Sequence, residues 1–140
     1  MKRRAIFVLL VSLSAAGMLM AQKIKLVPPA RTSGANGKQM FMNYCASCHG
    51  EDAKGNGPAA SALKTAPTDL TLLAAHHNGV FPAEHVSRYI SGADVVPAHG
   101  TRDMPVWGDV FKTMQSSGDT AMVDIRVNVL TEYLKSVQSR

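Results

Sequence analysis

Between Thr120 and Gln138 apolar side chains return at helical spacing. Val123, Val127, Leu130, Leu134 and Val137 fall at i, i+4, i+7, i+11 and i+14, one stripe along an α-helix. Near the other end, Asn36 precedes GKQMFMNY as an N-cap, with Gln39 three positions on as its capping-box partner. This predicts a first helix running through GKQMFMNY into the cysteine motif. Gly37 falls in its first turn, where glycine costs about 1 kcal/mol relative to alanine; that cost points to a close packing partner. A third helix is expected over Pro82–Ser91, with Pro82 at the first helical position and Val86, Tyr89 and Ile90 as its apolar residues. Shorter helical pieces are expected over Ala59–Lys64 and in VWGDVFKTM. No stretch alternates with the period of a strand. The pattern predicts an all-α domain: three main helices and shorter ones, joined by long loops.

The N-terminus has a different character. Lys2, Arg3 and Arg4 precede the apolar run AIFVLLVSLSAAGMLMA, from Ala5 to Ala21. A basic start and an apolar stretch ending in small residues read as an export signal. The run is slightly shorter than the roughly 20 residues of a spanning helix, so residues 1–21 are taken as a signal peptide, with an uncleaved anchor as the alternative. Residues 22–35, QKIKLVPPARTSGA, are rich in small, polar and proline residues and read as a flexible lead-in outside the core. The domain is expected over 36–140.

Lysine and arginine number 15 against 10 acidic residues; removing Lys2, Arg3 and Arg4 leaves 12 against 10, a net charge of +2. The basic balance is thus partly that of the signal, and no basic run with interleaved aromatics remains to suggest nucleic-acid binding. Few aromatics and much Gly, Pro and Ala make a thin core for loops of this length.

Both cysteines of the chain stand in YCASCHG, from Tyr44 to Gly50. A disulfide across two intervening residues closes a very small loop and constrains the unfolded chain little. A thioredoxin-like pair requires a βαβ setting, which this chain does not show. Zinc requires further ligands at close spacing, and His76 and His77 lie in no such pattern. The spacing C-x-x-C-H is also that of covalent haem attachment. One helical turn presents both thiols along one porphyrin edge for thioether bonds to the vinyl groups, with His49 beneath the iron as proximal ligand. Motif, export signal and thin core agree on this reading.

The chain resembles the class I c-type cytochromes of the small bacterial monohaem kind, over roughly Gly37 to Val137. Gly37 and Phe41 match the family's Gly-x-x-x-aromatic pattern, and Leu130, Tyr133 and Leu134 match the last-helix residues that cross it. The resemblance accounts for Gly37, since a residue without a side chain lets two helices approach. Gly55, Asn56, Gly57 and Pro58 match the family's GxGP element, which implies that the Pro58 carbonyl accepts the Nδ1 proton of His49. Asp69, in PTDLT, fits a family turn.

Six residues compete for the sixth iron position: Met104, Met114, Met122, His76, His85 and His99. Met114 and Met122 read more naturally as core, and the histidines as surface or hydrogen-bonding residues, with His99 the main rival. Met104 stands in RDMPVWG, and the resemblance implies a distal ligand in such a Met-Pro loop. Trp107 is expected to cover the haem edge, and Arg88 and Arg102 are candidate propionate partners. The implied protein is a periplasmic single-electron carrier with one haem c and protein redox partners, and is not itself an enzyme. The alternatives are a haem subunit of a larger dehydrogenase or terminal oxidase, and a haem-based ligand sensor.

Overall fold

A computed structural model describes residues 29–94, 104–114 and 119–139. Among the described residues there are five α-helices: α1 (Gly37–Tyr44), α2 (Ala46–His49), α3 (Ala83–Ser91), α4 (Trp107–Thr113) and α5 (Thr120–Ser136). Single 3₁₀ turns stand at Ala60–Ala62, Leu70–Leu72 and Ala75–His77. No strand occurs among the described residues, and the all-α expectation holds.

The long C-terminal helix α5 is the hub, packing against α1, α3 and α4. Its Val123, Val127, Leu130 and Leu134 are buried, as the apolar stripe predicts. Asp119 caps its start, accepting from the Ala121 N–H at 2.9 Å. Helix α1 crosses α5 at Gly37. A Cβ there would lie 2.5 Å from the Val129 carbonyl oxygen and 2.7 Å from the Tyr133 Cβ, so only glycine permits the approach. One turn on, the Phe41 and Tyr133 rings sit 5.3 Å apart, and Phe41 and Leu130 are fully buried beneath the crossing. The expected N-cap is present, with Asn36 Oδ1 accepting from Gln39 N–H at 2.9 Å.

Several expectations need correction. The first helix does not run unbroken through the cysteine motif: it ends at Tyr44, and Cys45, at φ −114° and ψ −36°, separates it from α2. The piece over Ala59–Lys64 reduces to the turn Ala60–Ala62, because Leu63 turns extended. Pro82 is the cap of α3 and not its first helical residue, and Tyr89 faces outward while Val86 and Ile90 are buried. The lead-in is not wholly outside the core. Thr32 is buried; its carbonyl accepts from Arg126 at 2.8 Å and its hydroxyl lies 2.7 Å from the Tyr44 hydroxyl. Among the described residues, no helix is long and apolar enough to cross a membrane.

Candidate functional site

Cys45, Cys48 and His49 occupy one turn of backbone. Cys45 caps α2, whose N–H groups from Cys48 and His49 close onto the Cys45 carbonyl at 3.1 and 2.9 Å. Both cysteines are unbridged and half-buried. Burial pushes the Cys45 thiol up to about 12, with the nearby Cys48 sulfur acting in the same direction. Gly50, at φ +77°, ends the turn, a conformation that glycine adopts at little cost.

Beyond it, the glycine loop is laced back onto α2. Gly55 N–H donates to the His49 carbonyl at 2.8 Å, Gly57 N–H to Cys48 at 3.0 Å and Ala59 N–H to Ser47 at 2.9 Å. A Cβ on Gly57 would lie 2.5 and 2.6 Å from the Ser47 and Ala46 carbonyl oxygens, so the loop lies flat against α2 only because Gly57 has none. On its other side Gly55 abuts Pro67, whose carbonyl oxygen would sit 2.2 Å from a Cβ at that position.

That second contact leads to the orienting partner of His49. Its Nδ1 lies 3.2 Å from the Thr68 carbonyl oxygen. A carbonyl can only accept, so Nδ1 carries the proton and Nε2 keeps its lone pair for a metal. The expectation that Pro58 supplies this acceptor is therefore corrected. Pro58 is exposed, and the tight packing of Gly55 against Pro67 brings the Thr68 carbonyl to the imidazole instead. Burial holds His49 below its ordinary value, and the Thr68 carbonyl works against that shift.

This arrangement fits a haem c held through Cys45, Cys48 and His49. Two free thiols precede the histidine, and the imidazole has the tautomer that binds iron through Nε2. Leu70, Leu73, Phe81, Met104 and Trp107 pack against the core while keeping part of their surface exposed, which suits contact with a flat apolar ring.

The other candidates distribute differently. Met104 is half-buried against the core, just before α4. Met114 is engaged elsewhere, its sulfur 3.9 Å from the Tyr44 hydroxyl. The Met122 methyl packs within reach of Gly34. His76 and His85 are exposed, and His85 lies 3.4 Å from Asp94. Arg88 is bound to the same Asp94 at 2.7 Å, which removes it as an unpaired propionate donor. His99 and Arg102 lie outside the described residues. Trp107 packs on Tyr44 and Phe111, ring centroids 5.3 and 5.9 Å away. Asp69 caps the turn at Leu70, its Oδ1 accepting from the Thr71 N–H at 2.8 Å and the Thr71 hydroxyl at 2.6 Å.

Three residues escape sequence reasoning. Thr68 acts through its backbone, which no residue type advertises. Gln138 joins the end of α5 to the turn after Thr68. Arg126 is buried over the Phe111 ring, its Nε unpaired and its remaining nitrogens turned to Thr32 and Met40; its place one residue before Val127, inside the α5 stripe, was the available signal.

The family model for cytochrome c matches residues 34–138, covering α1 through α5 and the whole of the site. Comparisons with curated proteins and with solved structures gave no match. The match spans most of the chain and encloses all five of the described α-helices, and this chain belongs to the cytochrome c family.

Proposed function

We propose that this chain is an exported single-electron carrier with one haem c, attached through Cys45 and Cys48 and ligated by His49 and Met104. The observation that carries the reading is the fixed state of His49. Its Nδ1 proton is committed to Thr68, so an unprotonated, pre-oriented Nε2 sits one residue from a free cysteine. When bound, the haem supplies an iron that cycles between ferrous and ferric states. The chain's residues do the rest. The α2 turn aligns the two thiols on one side, and the glycine loop and Thr68 hold the imidazole plane. Met104 supplies a thioether, which favours the ferrous state relative to a second imidazole. With His49 and Met104 both committed to the iron, a bound haem would offer oxygen no open site and would exchange electrons with little rearrangement.

Residues 1–21 serve export, placing the carrier in the periplasm. The net charge of +2 left after the basic signal residues are removed gives only weak electrostatic steering. Docking to redox partners then relies on apolar contact near the haem edge, to which we assign Trp107. The test is the full chain expressed in a host with haem-attachment machinery. A haem stain surviving denaturing electrophoresis, absent from Cys45→Ala/Cys48→Ala, supports the reading, as does a potentiometric titration fitted by one electron. A fully apo product under those conditions would overturn it.

A further inference from the structure

The hydrogen bonds around Thr68 extend past the site to the last turn of the molecule. The Gln138 side chain makes three of them: Oε1 accepts from the Ala74 N–H at 2.9 Å, and Nε2 donates to the Leu70 and Leu134 carbonyls, each at 2.7 Å. The partners fix which way the amide faces, because an N–H can only donate and a carbonyl only accept. Next to it, Ser139 N–H donates to the Thr71 carbonyl at 2.8 Å. Gln138 therefore brackets the turn from Leu70 to Ala74 at both ends and ties it to α5. On the opposite side, Leu70 N–H donates to the Ala53 carbonyl at 2.8 Å, fastening the same turn to the glycine loop. Thr68, two residues before the clamped turn, presents its carbonyl to His49.

We infer that Gln138 is a positioning residue for the axial histidine: by locking the Leu70–Ala74 turn to α5 it holds the Thr68 carbonyl on His49 Nδ1 and so sets the electron-donating strength of the imidazole. The inference rests on the haem reading above and deepens it. A carbonyl held on the Nδ1 proton makes the imidazole a stronger donor and favours ferric iron. Releasing the clamp lets the carbonyl drift, weakens the bond and shifts the balance toward ferrous iron. A purely structural glutamine would lower stability without moving that balance.

The test uses the haem-bearing full chain with Gln138→Met, which keeps the side chain's length and removes its polar atoms, and Gln138→Ala. Ser136→Ala is the control at the same helix end, since the Ser136 hydroxyl bonds only within α5, to the Tyr133 carbonyl. Both Gln138 variants are expected to raise the ferrous-to-ferric ratio at a fixed applied potential about threefold, or roughly 28 mV at 59 mV per tenfold for one electron. Proton NMR of the reduced protein should show faster solvent exchange of the His49 Nδ1 proton, and the control should change neither. A lower melting temperature with unchanged potential and unchanged Nδ1 exchange would overturn the inference alone. A chain that takes up no haem even without substitution would overturn the proposed function, and this inference with it.

Discussion

The α1–α5 crossing and the segment from Gly50 to Ala74 lie close in the fold but are held by different forces. At the crossing, Met40, Phe41 and Leu130 lose nearly all solvent contact, and a side-chain-free Gly37 lets the two backbones meet. Burial of apolar surface stabilises that region by itself. From Gly50 to Ala74 the buried side chains are only the small Ala53 and Thr71. Its order comes from backbone hydrogen bonds onto α2 and from polar clamps at Asp69 and Gln138. The crossing is a frame built to be stable, and the second segment is a collar built to hold one imidazole. The turn α2, which carries Cys48 and His49, joins the two.

Substitution at each region should separate them. Phe41→Ala opens a cavity at the crossing and should cost about 4 kcal/mol in chemical denaturation, with little change in the spectrum of whatever protein still folds. Gly57→Ala, whose Cβ meets the α2 carbonyls, should cost less, about 2 kcal/mol. Its mark should instead be a reduced yield of haem-bearing protein, because the displaced loop moves Thr68 and α2 apart. Equal haem yields for the two variants at matched stability would erase the distinction between frame and collar.

Asp69 gives the smallest and most selective effect. Its carboxyl is held below the ordinary 3.8 chiefly by the Thr71 hydroxyl and secondarily by the Thr71 N–H, with burial opposing. A depressed folded-state pKa means the unfolded chain binds the proton more readily, so this contribution is present above the ordinary value and is lost as pH falls through the folded one. Through loss of the cap on the Thr71 N–H, Asp69→Ala should destabilise by about 1 kcal/mol at neutral pH, and its curve of stability against pH should converge on the parent's in strong acid. A difference that stays constant with pH would assign the effect to packing and not to the carboxylate.

The frame was legible in the sequence because side chains build it. The α5 stripe, the unexpected Gly37 and its partners Phe41 and Tyr133 all announce themselves by residue type and spacing. The C-x-x-C-H signature was legible for the same reason. The collar was not, because its key groups are main-chain carbonyls and N–H groups. The Thr68 acceptor looks like any other carbonyl, and the glycine-proline element drew the expectation to Pro58. The turns at Leu70–Leu72 and Ala75–His77 carry no apolar period. Arg126 hid inside an apolar stripe, where a charged residue reads as the solvent face, and its partner Thr32 lay in a stretch expected to remain outside the core.

The proposal with most at stake is that His49 and Met104 would both ligate the iron of a bound haem. The most direct measurement is the far-red absorption of the ferric protein, where a sulfur–iron charge-transfer band reports thioether ligation. The account predicts a weak band in the parent, its loss in Met104→Ala, and carbon monoxide binding by the ferrous form of that variant only. No band in the parent, or ready carbon monoxide binding by the unsubstituted ferrous protein, would contradict it.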